Sequence, residues 1–269
     1  MKIAFSLLLI ISGCQAQKLE VQNDRRDQLN DSSSMMIMNP NGNILTERFL
    51  CPENYERIEL DSSSFGHFLR HLSLHPSDHK VLLYNGRQKA NQGASCGVIQ
   101  QDIDPVDLQQ CADAVIRLRG EYLFETEQFE KIHFNFLSDG KPRYFIEYSQ
   151  DRSYKTFRKY MKYVFAYANT ASLKKELIPI QNIKDIQPGD VFIQSGNPYG
   201  HAVTVMDVAI DNSGNKLFLL SQSYMPAQET HILTNPTDQD ISPWYRANEG
   251  MIRTPEWTFE SSDLRRFKD

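Results

Sequence analysis

Between Pro188 and Gln228 three apolar runs alternate with turn residues, and this stretch constrains the fold more than any other. Pro188-Gly189-Asp190 forms a turn that leads into Val191-Phe192-Ile193. Ser195 to Gly200, with two glycines and Pro198, reads as a loop. His201 then opens a run through Ala209. Asp211-Asn212-Ser213-Gly214-Asn215 turns it, and Lys216 to Tyr224 runs back. Apolar runs bounded by Gly, Pro, Asn and Asp read as strands. The pattern predicts three adjacent antiparallel strands with a histidine at the mouth of the middle one, a suitable place for a catalytic base. With Ser213-Gly214 as a two-residue turn, Pro226 lies opposite His201, and Gln222, Tyr224 and Gln228 share its face. A slip of one residue replaces that set with Ser221, Ser223 and Met225. Either register places a polar side chain near the imidazole, where it fixes tautomer and orientation.

The candidate nucleophile lies upstream. Asp104-Pro105 supplies an N-cap and a first-turn proline, which predicts a helix to about Phe124. Its apolar face is Leu108, Cys111, Ala112, Val115, Leu118 and Tyr122, so Cys111 faces a core or a cleft. One reading is a small buried thiol that packs a helix. The other is a nucleophile near a helix start, where the macrodipole and a nearby imidazolium lower the thiol pKa.

Elsewhere the patterns predict scaffold. Residues 62–74 carry Phe65, Phe68, Leu69 and Leu72 at helical spacing, and 153–168 carry Tyr154, Phe157, Met161, Val164 and Phe165. Residues 131–137 and 144–148 read as a hairpin around Ser138-Asp139-Gly140. His67, His71, His75 and His79 recur every four residues, and such pairs on a helix can chelate a metal. Pro76 interrupts that helix, however, and no Glu stands where a zinc-protease base is needed. No metal and no cofactor are expected.

The N-terminus reads as a targeting segment. Met1-Lys2 is followed by an apolar run from Ile3 to Ile11 and then Ser12-Gly13-Cys14. Small residues before a cysteine at the expected cleavage point resemble a bacterial lipobox; an ordinary secretory signal is the other reading. The lipobox implies removal of residues 1–13, a diacylglyceryl group on Cys14, and a chain tethered to a membrane without spanning it. Gln15 in place of Asp leans, by the known sorting rules, towards the outer membrane. Residues 14–50 read as a polar spacer and 51–269 as one domain. With Cys14 lipidated, three of the four cysteines remain, so at least one thiol stays free. A Cys51–Cys96 bridge would leave Cys111 free; a Cys96–Cys111 bridge would remove it. A net charge of -5 argues against nucleic acid as a partner, because no basic stripe is expected to neutralise phosphates.

Cys111 at a helix start, the Pro188-Gly189-Asp190 turn, and Gly200-His201-Ala202-Val203 opening a strand resemble the NlpC-type and CHAP-type papain-like cysteine peptidases. That resemblance implies an α+β fold with an antiparallel sheet packed against helices. It assigns Cys111 as nucleophile, His201 as base, Gln222 or Gln228 as the orienting group, and peptide amide bonds such as peptidoglycan stems as substrate. The gap from Cys111 to Gly189 is longer than those enzymes show, and Gln109 or Gln110 would have to serve the oxyanion. A wider resemblance covers most of the chain. Residues 107–114, Gly189-Asp190-Val191-Phe192-Ile193, residues 222–228, Ser242-Pro243-Trp244-Tyr245 and Thr254-Pro255-Glu256-Trp257 are similar to an uncharacterised family of bacterial lipoproteins. Two functions are therefore expected of one scaffold: a cell-envelope cysteine hydrolase, or a non-catalytic lipoprotein that binds peptidoglycan or a protein partner.

Overall fold

The histidine-led run becomes an eleven-residue strand, His201–Asp211, whose first nine residues are buried. A strand covered on one face alternates apolar and polar residues; this one does not, because both of its faces are covered. The structure, a computed structural model, describes residues 37–196 and 199–268. The signal segment, Cys14 and most of the spacer lie outside the described residues.

In chain order the elements are α1 (Leu45–Arg48), β1 (Tyr55–Arg57), α2 (Phe65–Arg70), β2 (Ser95–Val98), α3 (Cys111–Glu125), β3 (His133–Asn135) and β4 (Pro142–Tyr144). Then come α4 (Phe145–Tyr148), α5 (Tyr154–Phe165), α6 (Thr170–Glu176), β5 (Ile178–Pro179), β6 (Val191–Gln194), β7 (His201–Asp211) and β8 (Lys216–Gln222). The chain closes with β9 (His231–Leu233), β10 (Tyr245–Arg246), β11 (Met251–Arg253), β12 (Thr258–Glu260) and β13 (Leu264–Arg266). One mixed α/β domain results. Its main sheet has the order β2-β9-β8-β7-β6-β13-β5, with β1 added to β7 and β10 to β8, and its pairings are antiparallel.

Each face of the sheet has its own core. Ala202, Met206, Leu217, Leu219 and Ile232 pack against α3 and α5 through Val115, Ile116, Leu118, Phe157 and Met161. On the other face Val203, Val205, Phe218 and Leu220 meet Phe259, Ile252 and Tyr245. Side chains at successive strand positions point to opposite faces. His201 therefore belongs with Val203 on the second face, and Ala202 with the helices.

Four features differ from the sequence expectation. Residues 145–148, expected in the return strand of the hairpin, form helix α4, because pairing with β3 ends at Tyr144 and the return strand is β4 (Pro142–Tyr144). The packed domain begins before residue 51: Leu45 and Phe49 are fully buried, and Arg48 Nε donates to Gly42 O at 2.9 Å. Helix α3 starts at Cys111, not at Asp104-Pro105. Asp104, the expected cap, instead accepts Arg158 Nη2 at 3.3 Å, and Asp107 Oδ1 accepts the Ala227 N–H at 2.7 Å and Gln110 Nε2 at 3.0 Å. Asp113 takes over the helix start instead, accepting the Gln110 N–H at 3.1 Å. The β7–β8 register also shifts, from Asp207↔Leu219 to Val205↔Leu220, with a bulge at Met206.

At that bulge a buried charge ties the N-terminal segment to the sheet. Asp207, with no exposed surface, accepts Arg57 Nε and Arg70 Nε at 2.6 Å each. Arg70 also donates to Ile58 O and Val208 O, and Arg57 to Phe49 O. Losing one member of a buried ionic group leaves the others uncompensated. Asp207→Ala is expected to cost about 3–5 kcal/mol of stability. The check is the urea midpoint at unchanged slope; a loss below about 1 kcal/mol would mean the arginines behave as surface charges.

Candidate functional site

The start of β7 sets the geometry. Val205 exchanges backbone hydrogen bonds with the Gly189–Asp190 turn, donating to Asp190 O and accepting from Gly189 N–H at 2.8 Å each. Backbone groups alternate along a strand, so Gly200 and Ala202 turn theirs to the opposite edge, the edge of β8. There β8 stops pairing with β7 at Ser221. The first turn of α3 occupies the vacated place. Ser223 Oγ donates to Gln109 O at 3.1 Å and holds the helix start against the end of β8. Gly200 has no room for a side chain, since a Cβ would fall 2.3 Å from Gln194 O.

Cys111 is the first residue of α3 and is buried. Its Sγ lies 4.0 Å from Gly200 O. Burial pushes the thiol up to about 11, and Asp113 adds to this; the N–H groups of Ala202, Ala112 and Cys111 itself pull the other way. The sulfur lies beside a cavity of about 310 Å³ that Asp113, Asn169, Thr170, Tyr199 and Met225 also line. Cys51, Cys96 and Cys111 are all free thiols.

His201 leaves the face of the strand whose edge Cys111 meets. Its ring packs among Tyr224, Trp257 and Phe259, with centroids 4.9, 5.3 and 5.8 Å away. Nε2 lies 2.9 Å from Gln222 Oε1. The orientation of that amide follows from its other end, where Gln222 Nε2 donates to Glu256 Oε2 at 2.6 Å. With the amide NH₂ on the carboxylate, its oxygen faces the imidazole. Nε2 then carries the ring proton and Nδ1 the lone pair. Lys89 Nζ holds Glu256 at 2.7 and 2.8 Å. His231 completes the layer, with Nδ1 on Glu229 O at 2.9 Å and Nε2 3.4 Å from Gln222 Nε2. Burial drives both histidines down to about 4.

Among the residues named from sequence, the structure joins His201 to Gln222 and sets Tyr224 on the same face. Gln228 stands apart: its Nε2 donates to Pro226 O at 2.9 Å, and its buried Oε1 has no partner among the described residues. Gln109 turns its Oε1 to Arg117 Nη1 at 2.8 Å, whereas Gln110 lines the cavity beside Cys111. Among the described residues no hydrogen bond joins the Cys111 thiol to the His201 imidazole. Lys89, Glu256, Trp257 and His231 escaped the sequence reading. Glu256 and Trp257 lay within a motif already singled out, Thr254-Pro255-Glu256-Trp257; nothing in the sequence marks Lys89.

The family described as domain of unknown function (4846) matches residues 45–150 and 137–266, which together span most of the chain. The chain belongs to this family. Its matched segments carry both the Cys111 region and the His201–Gln222–Glu256 network, so the whole candidate site lies within family sequence. No curated protein and no solved structure matches the chain.

The two depressed histidines make stability sensitive to acid. Unfolded, each takes a proton near pH 6.5; folded, neither does until about 4. In that window the unfolded state binds more protons, so stability falls as pH is lowered, by at most about 1.4 kcal/mol per pH unit for each histidine. Asp113 and Glu176, pushed up by burial to about 8 and about 7, tilt stability the other way. A comparison of variants isolates the histidine. The stability of His231→Gln relative to wild type should improve steadily as pH drops from 6.5 to 4, read from urea midpoints. A difference that does not change with pH would refute this.

Proposed function

We propose that the chain is a thiol hydrolase of the cell envelope that cleaves peptide amide bonds, with peptidoglycan stems as the fitting substrate class. The observation that carries the reading is the oriented imidazole. Burial keeps His201 neutral, and Gln222, itself held by Glu256 and Lys89, fixes the tautomer that leaves the basic lone pair on Nδ1. A helix-start cysteine beside a strand that opens on histidine, with a polar partner on the next strand, is also the papain-like order of groups.

In this mechanism the Cys111 thiol gives its proton to His201 Nδ1 and the sulfur attacks the substrate carbonyl carbon. Backbone N–H groups at the start of α3 hold the oxyanion. The imidazolium then protonates the leaving amine as the C–N bond breaks, which leaves a thioester. Water, deprotonated by His201, hydrolyses the thioester and restores the thiol. Substrate in the cavity must bring Sγ within hydrogen-bond reach of Nδ1; catalytic hydrogen bonds often tighten only in the substrate complex.

A second reading has its own observation. A thiol pushed up to about 11 is protonated at neutral pH, as suits a binding scaffold for peptidoglycan or a protein partner, with Cys111 merely packed. Alkylation of Cys111 against pH, followed by mass spectrometry of its peptide, separates the two. The hydrolase requires labelling near neutral pH that slows by roughly tenfold or more in His201→Ala and in Gln222→Leu. Labelling only after denaturation, or at unchanged rate in both variants, leaves the binding scaffold.

The location proposed is the outer membrane, reached through a lipid on Cys14. The expected mature chain starts at Cys14 with acyl mass added, and Cys14→Ser moves it from the membrane fraction to the soluble one. An unmodified Cys14 peptide would remove the anchor from the proposal.

A further inference from the structure

Four histidines at four-residue spacing looked like a helix stripe cut by Pro76. The structure turns that break into a reason to bring two of them together. Helix α2 ends at Arg70, and the chain beyond it is pinned from both sides. The His75 N–H donates to Val98 O at 2.9 Å, and His75 O accepts Arg48 Nη2 at 3.2 Å. A turn over residues 76–79 follows, closed by the His79 N–H on Pro76 O at 3.0 Å. It folds His79 back over His75, so the two rings stack with centroids 4.0 Å apart and planes 10° from parallel.

A carboxylate meets both rings from a distant part of the chain. Glu229 sits two residues before β9, its N–H bonded to Leu82 O at 2.9 Å. His79 Nε2 lies 3.0 Å from its Oε2, and His75 Nε2 lies 3.8 Å from its Oε1. The three donor atoms all fall within 4.8 Å of one another. An ordinary histidine–carboxylate pair needs one imidazole. Here a second is held by its backbone in the same place, with its Nε2 turned to the same carboxylate.

We propose that His75, His79 and Glu229 bind one divalent transition metal of the zinc class, with the fourth position open to solvent. Two imidazoles and a carboxylate are a donor set that suits zinc and its neighbours in the first transition row. Tetrahedral zinc at about 2.0–2.2 Å from each donor sets the donors about 3.3 Å apart, which small rotations of these side chains reach. The carboxylate already has the outer contact that ligating carboxylates need, because the Leu82 N–H donates to Glu229 Oε2 at 2.8 Å. Both imidazoles keep about a quarter of their surface exposed (24% and 23%), so an ion can enter while Glu229 stays largely enclosed. A bound metal would clamp the 75–79 turn to residue 229, whose carbonyl holds His231 in the layer around Gln222.

The test uses the full-length chain stripped with EDTA and titrated with Zn²⁺ by calorimetry, and with Co²⁺ by optical absorption. One Zn²⁺ per chain is expected, with affinity weakened roughly tenfold or more in His79→Ala and in Glu229→Gln. Cys111→Ser should leave binding unchanged, and Co²⁺ should give visible bands without a thiolate charge-transfer band. Glu229→Gln is nearly isosteric, and its circular dichroism checks that a loss of binding is not a loss of fold. No saturable binding at micromolar Zn²⁺, binding untouched by both variants, or binding lost only with a cysteine would each overturn the proposal. None of these outcomes depends on hydrolase activity.

Discussion

Burial of β7 on both faces is the constraint from which the architecture follows. An eleven-residue strand cannot stay in solution with Ala202, Val203, Val205, Met206 and Val208 uncovered on two sides. Helices α3 and α5 cover one side, and the β11–β12 hairpin with the residues around Tyr245 covers the other. Both edges are then taken by the antiparallel neighbours β6 and β8, and β1 extends the edge beyond β6. A polar residue in such a strand must bring its own partners. Asp207 has two arginines, and His201 has Gln222.

The same strand explains why the thiol and the imidazole sit as they do. Backbone groups lie in the plane of a sheet and side chains stand out of it. Cys111, delivered by a helix that fills the gap where β8 peels away, meets the edge. His201 rises from one face into an aromatic pocket. The layer below the imidazole is ordered as a chain: Lys89 fixes Glu256, Glu256 orients the Gln222 amide, and the amide sets the tautomer. The Lys89–Glu256 pair, buried at its lysine and half-buried at its glutamate, is costly to desolvate and is worth keeping where it fixes geometry. That is the physical basis for the hydrolase reading, and the raised thiol pKa is the basis for its rival.

Much of the candidate site could be read from residues alone. His201 at a strand mouth, Gln222 and Tyr224 on its face, and Cys111 on the inward face of a helix all follow from strand alternation, turn residues and helix periodicity. The face assignment survives although the register does not, because the loop and the Met206 bulge together displace the pairing by an even step. Gln228 was named for the same face but lies beyond the end of β8, where alternation no longer applies. The helix begins later than expected because Asp104, the expected cap, pairs with Arg158 at 3.3 Å, and the Gln110–Asp113 capping box starts the helix at Cys111. Lys89 and Glu256 were out of reach for a similar reason: they are 167 residues apart, and no local pattern pairs them.

The sequence by itself determined the strand unit from residue 191 to 222, the helices around Phe65, Val115 and Phe157, and the candidate residues Cys111 and His201. Those depend on short-range periodicity and turn chemistry, which a chain carries locally. Only the tertiary structure decided which polar groups meet. Asp207 with Arg57 and Arg70, Glu256 with Gln222, and Glu229 with His75 and His79 are joined by burial. A buried charge or donor takes whatever partner the packed fold brings to it, however distant in the chain.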